Sequence, residues 1–146
     1  MGDARQRIEQ HLTMLFRRAQ RVHIMGAHED IDLDRSAYAI LCRLDDEGPQ
    51  RLGALATTFG LDPSTITRQV QALERAGLAA RSTDARDRRV SLLALTDPGL
   101  AAVHATRQHR RGQLNLLLED WPEDQVNDFA DLLERFNDSI ERINPQ

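Results

Sequence analysis

A chain of 146 residues, 40% hydrophobic and 29% charged, is long enough for one domain with a core plus an oligomerisation element, and its composition is that of a soluble globular protein. No apolar run approaches the ~18 residues that cross a bilayer, and the N-terminal MGDARQRIEQH has no apolar stretch of the signal-peptide kind, which places the protein in the cytoplasm. The net charge of −4 excludes a surface that is basic throughout, so any affinity for nucleic acid has to come from local segregation of charge.

From Asp3 to about Ala27, Ile8, Leu12, Leu15, Ala19 and Val22 recur at steps of four and three, the apolar stripe of a long helix that needs a partner surface. Asp30 to Asp34 breaks the pattern. Asp34 then suits the N-cap of a second helix, which turns Ala37, Ile40, Leu41 and Leu44 inward and ends before Gly48-Pro49. Cys42, the only cysteine, rules out an intrachain disulfide. It lies in that apolar pattern, where a buried, inert thiol is the ordinary outcome.

A third helix, about Leu52 to Phe59, buries Leu52, Leu55, Ala56 and Phe59 and is followed by Gly60. Asp62 reads as an N-cap and Pro63 as the first residue of a fourth helix, where its missing N–H costs nothing. That helix carries Ile66, Val70 and Leu73 inward and stops at Gly77. Ala56, Gly60 and Ile66 have the small residue, turn glycine and β-branched residue of a helix-turn-helix.

Arg81 to Val90 packs Arg81, Arg86, Arg88 and Arg89 around Asp84 and Asp87, ahead of the strand-like run Val90 to Leu95. Strand, charged turn and strand make a β-hairpin. An arginine-tipped hairpin beside a helix-turn-helix is a wing suited to a nucleic-acid backbone or minor groove. If the tip is strand, Asp87 and Arg89 share a face, leaving Arg86 and Arg88 for phosphates. Charge is segregated: Leu61 to Leu95 holds six arginines against four acids, whereas Asp120 to Gln146 is strongly acidic. All 19 basic residues are Arg, which suits bidentate contacts but is equally explained by codon bias.

Thr96 caps a helix from near Pro98 to about Leu118, and Trp121-Pro122-Glu123 starts a last one with a stripe of Val126, Phe129, Leu133, Phe136, Ile140 and Ile143. These helices and the N-terminal one carry apolar faces that most readily meet across a two-fold axis. The fold class is mainly α (α+β). A winged helix-turn-helix region spans 34–96, with recognition helix about 63–76 and wing about 79–95; a helical dimerisation region comprises 1–30 and 98–146.

This order of elements, with Asp84-Ala-Arg-Asp87-Arg-Arg89 and Leu95-Thr96-Asp-Pro-Gly99, resembles the MarR (multiple antibiotic resistance regulator) family over nearly the whole chain. The resemblance implies a homodimeric winged-helix transcription regulator, mostly of the repressor kind. It implies a pseudo-palindromic double-stranded DNA operator as partner and a small aromatic or anionic effector as a candidate ligand. It maps recognition-helix contacts to Pro63, Ser64, Thr65, Thr67, Arg68 and Gln69, and wing contacts to Arg86, Asp87, Arg88 and Arg89, with Asp87 holding Arg89. Residues 64, 65, 68 and 69 are expected opposite the buried Ile66, Val70 and Leu73, so that Arg68 can take guanine and Gln69 adenine. The family's effector pocket would fall near Tyr38, Arg17, Arg18 or His23.

Each residue has a plainer role. Ser64 and Thr65 can satisfy first-turn N–H groups, and Arg68 can pair with Asp62 or Glu74 on the surface. A winged helix that binds protein without specific DNA binding is the alternative function, since fold alone does not establish DNA binding. Enzyme, metal and cofactor chemistry are not expected: His11, His23, His28, His104 and His109, with Glu29 and Asp30, show no zinc-type helical spacing.

Overall fold

In the computed structural model, which describes residues 3–22 and 35–143, the apolar periodicities become helices α1 (Ala4–Val22), α2 (Arg35–Glu47), α3 (Leu52–Phe59), α4 (Pro63–Arg75), α5 (Asp97–Leu117) and α6 (Glu123–Ile143). The expected break at Asp30–Asp34, the Asp34 cap and the extension of α1 to Ala27 lie outside the described residues. Among the described residues no helix is long and apolar enough to cross a membrane.

Local chemistry fixes the joints. Gly60 ends α3 in the left-handed region at φ 60°, and Leu61 N–H donates back to the Ala56 carbonyl. Asp62 caps α4 with Pro63 at its start, and Gly77 follows the helix with φ 72°. At the head of α5, the Thr96 hydroxyl donates to the Gly77 carbonyl at 2.6 Å and accepts from Gly99 N–H at 3.1 Å. Gly99 has to be glycine for a steric reason: a Cβ there would lie 1.8 Å from the Leu78 carbonyl oxygen.

Strands β2 (Ala79–Thr83) and β3 (Ser91–Leu95) form the wing, joined by a two-residue strand, β1 (Gln50–Arg51), in the antiparallel order β1-β3-β2. The register sets Arg51 opposite Leu92, which on its other side faces Ser82. Sequence patterning does not show β1, because two residues are too few to alternate.

The core lies where α2, α3, α4, the sheet and α5 meet. It contains Ile40, Leu41 and Leu44 of α2, Leu55 of α3, Ile66, Val70 and Leu73 of α4, Leu93 of β3 and Val103 of α5. Arg107 of α5 reaches back to α2, pairing with Asp45 at 2.5 Å and Asp46 at 2.9 Å. The terminal helices are different. No residue of α6 is buried, and Phe129, Leu133, Phe136 and Ile140 stand exposed together with Ile8, Leu15 and Phe16 of α1.

Candidate nucleic-acid interface

Helix α4 begins with a tightly held cap. The Asp62 carboxylate accepts from Thr65 N–H at 2.7 Å and from the Ser64 hydroxyl at 2.8 Å. Those bonds, the Thr65 backbone N–H foremost, stabilise the ionised form and hold its pKa down to about 2. The Thr67 hydroxyl donates to the Pro63 carbonyl at 2.7 Å. Pro63, Ser64 and Arg68 are exposed, while Thr65 and Thr67 are half-buried.

Gln69 corrects the expectation of an outward amide: only 8% of the residue is exposed. The reason is helical geometry. Ile66, Gln69, Val70 and Leu73 are spaced i, i+3, i+4 and i+7, which is one face, and that face is the one turned to the core. The outer face runs instead through Ser64, Arg68, Gln71 and Arg75, all exposed. Sequence reading missed Gln71 and Arg75, although steps of three and four from Arg68 lead to both.

The two acids that might have neutralised Arg68 are engaged elsewhere. Asp62 holds its cap, and Glu74 accepts from Arg81 of β2 at 2.7 Å. Arg68 makes no ion pair among the described residues. Arg81, counted from sequence with the wing cluster, ties the hairpin to α4 instead.

The wing tip, residues 84–90, is a loop and not strand, so the alternation that was to set Asp87 and Arg89 on one face does not operate. Two aspartates shape it by accepting from the N–H two residues on: Asp84 from Arg86 at 2.9 Å and Asp87 from Arg89 at 3.0 Å. Asp84 N–H donates to the Val90 carbonyl at 2.9 Å, closing the loop. The Arg89 guanidinium is 3.7 Å from Asp87 with its side chain 94% exposed, a loose approach that leaves it projecting. Arg86 and Arg88 are also exposed.

Asp84 is the anchored acid of the loop. Its second oxygen accepts from Arg51 of β1 at 2.9 Å, and only 12% of its side chain is exposed. The Arg86 N–H first, and Arg51 with it, hold its carboxyl below the usual carboxylate range. Because 33 residues separate the partners, nothing local in the sequence signals the pair.

Tyr38, expected near an effector pocket, is buried on α2 against α5. Arg110 sits over its ring at 4.5 Å, and its hydroxyl has no hydrogen-bond partner among the described residues. Arg17 and Arg18 are exposed on α1, and Cys42 is half-buried. His23, His28, Glu29 and Asp30 lie outside the described residues. Among the described residues no three of His, Cys, Asp and Glu gather as a metal site would require.

Comparison with known proteins agrees on a single family. The MarR family model matches residues 33–91. The HTH-type transcriptional regulator YxaD of Bacillus subtilis (strain 168) is 38% identical over 131 residues, covering 89% of this chain and 90% of that one. The solved structure of MarR superposes with a TM-score of 0.75 at 27% identity, over 92% of this chain and 91% of the other. The PcaV transcriptional regulator of Streptomyces coelicolor, solved in complex with its natural ligand, has a TM-score of 0.61 at 31% identity over 87% of this chain and 92% of that one.

Proposed function

From the chain's membership of the MarR family of transcriptional regulators, we propose that it acts in the cytoplasm as a homodimeric repressor, without catalytic activity, on a pseudo-palindromic operator. Two α4 helices enter successive major grooves about one duplex turn (~34 Å) apart, and each wing reaches the flanking backbone or minor groove. The carrying observation is the set of outward-facing cations. Arg68 on the outer face of α4 and Arg86, Arg88 and Arg89 on the wing are exposed in a chain whose net charge is −4. Arg68 suits guanine, and for the amide that meets a base edge the exposure of Gln71 favours it over the buried Gln69.

The exposed apolar faces of α1 and α6 support the dimer, each burying the other's stripe across a two-fold axis. For a small aromatic or anionic effector, the chemistry that supports a site is on α2 and α5, where the Tyr38 hydroxyl lies near Arg107 and Arg110. PcaV, a relative with a natural ligand bound, gives that reading a precedent.

The test is binding to an inverted repeat taken from the DNA flanking the chain's own gene, titrated over salt. The expected result is log K falling linearly with log salt, and Arg89→Ala should flatten the slope by about one. Absent or salt-insensitive binding would favour a winged helix that docks protein. Arg68→Ala should relax base preference, whereas a uniform loss over all sequences would confine Arg68 to phosphate.

A further inference from the structure

The wing loop is held to the rest of the molecule at a point that its own sequence does not reveal. Arg51 is the residue before α3, so it belongs to the entry of the helix-turn-helix. Its guanidinium spans the middle strand, β3, to the carboxylate of Asp84, the first residue after β2, at 2.9 Å. The same carboxylate fixes the loop backbone by accepting from Arg86 N–H. A second tie, Arg81 to Glu74 at 2.7 Å, joins β2 to α4 further from the tip. The loop's three projecting arginines have no comparable support, since Asp87 only approaches Arg89 at 3.7 Å.

We infer that Arg51 and Asp84 are the positioning pair of the wing: they hold the arginine loop at a fixed offset from the recognition helix, so that Arg86, Arg88 and Arg89 reach the DNA while α4 occupies the major groove. The inference rests on the reading of the wing as a DNA contact. Its physical basis is that an unsupported loop must be ordered on binding, and that cost weakens the complex. A loop already fastened at Asp84 has little of it left to meet.

Charge and positioning make opposite forecasts, which gives the test its force. Asp84→Asn removes a negative charge next to the DNA-facing arginines, and electrostatics alone requires tighter binding. Asn retains an oxygen for the Arg86 N–H, so the turn survives, while the oxygen that accepted from Arg51 becomes an amide NH2, itself a donor, and the bond to Arg51 is lost. Positioning requires weaker binding, roughly tenfold, with the salt slope flattened by about one as a wing contact is lost. Arg51→Gln should behave alike and Arg51→Lys should recover most of the affinity.

The experiment measures operator affinity over a range of salt for the full chain as wild type, Asp84→Asn, Arg51→Gln, Arg51→Lys, Arg89→Ala and the double variants Asp84→Asn/Arg89→Ala and Arg51→Gln/Arg89→Ala, with thermal melting beside it. The expected result is that Asp84→Asn weakens binding in the wild type and weakens it by clearly less in the Arg89→Ala background, because one of the contacts it positions is already gone there. Tighter binding by Asp84→Asn overturns the inference, as do losses that simply add to those of Arg89→Ala. If Asp84→Asn melts early, the same comparison is read from Arg51→Gln, whose additivity with Arg89→Ala would overturn it equally. An Arg89→Ala variant that binds like wild type with an unchanged slope would instead remove the wing contact itself, an outcome separate from the others.

Discussion

Helices α4 and α6 have the same kind of apolar stripe, spaced by threes and fours, yet end in opposite circumstances. In α4, Ile66, Val70 and Leu73 are buried under α2, α3 and the sheet; in α6, Phe129, Leu133, Phe136 and Ile140 remain open. The difference teaches what amphipathicity does and does not specify: it says that a face must be covered, and says nothing of what covers it. In the winged region the cover comes from the same chain within a few dozen residues. Among the described residues the terminal helices of a single chain have no such cover, and Phe136 lines an open groove with Leu12 and Phe16 of α1.

Substitutions in the two regions can break this contrast. The largest expected effect is in the self-contained core, where Leu41→Ala, at a fully buried position, should cost about 2–5 kcal/mol in denaturant unfolding. Phe136→Ala comes next and is the sharper test. In a lone chain a residue 42% exposed should contribute within about 0.5 kcal/mol. In a dimer that uses the α6 face it should cost about 2 kcal/mol, with a midpoint that depends on protein concentration and a shift toward monomer in sedimentation. A concentration-independent midpoint with unchanged sedimentation would leave the α6 face without its proposed partner. Thr96→Ala, at the joint between the regions, should cost about 1 kcal/mol, since its hydroxyl both caps α5 and holds the Gly77 carbonyl. An effect below a few tenths would show that Gly99 packing alone sets the joint.

What was legible in sequence follows the range of the interaction concerned. Asp62, Pro63, Gly60 and Thr96 act on residues within a few positions, and each cap and turn stands where the sequence put it. Gln69 is a case where the deciding information is local: its i, i+3 relation to Ile66 sets it on the core face, and periodicity outweighs the polarity that points it outward. The wing tip failed for another reason. Two Asx turns take up the backbone there, and no propensity for strand survives a loop closed from Asp84 to Val90. Arg51–Asp84 and Arg107–Asp45 were beyond reach, because ion pairs between distant segments depend on how the helices pack and leave no trace in the local pattern.

The smallest effect is expected at Tyr38, on the seam between the regions. Burial, with Cys42 beside it, disfavours the phenolate, while Arg110 over the ring and Arg107 favour it; burial prevails and pushes the pKa from 10.0 up to about 12. A raised pKa means that the folded state holds its proton more tightly than the unfolded one. The contribution to stability is therefore complete below pH 10 and is lost as pH rises from 10 toward 12. Tyr38→Phe keeps the ring under Arg110 and deletes a hydroxyl that has no partner among the described residues, so at neutral pH it should change stability by less than about 1 kcal/mol, neutral or favourable in sign. The variant should also lose the part of the alkaline decline that tracks tyrosinate absorbance, which reports one group because the chain has a single tyrosine. A Tyr38→Phe protein clearly less stable at neutral pH would mean that the hydroxyl is held by a partner across the seam, and the contrast between a closed winged region and open terminal helices would have to be redrawn there.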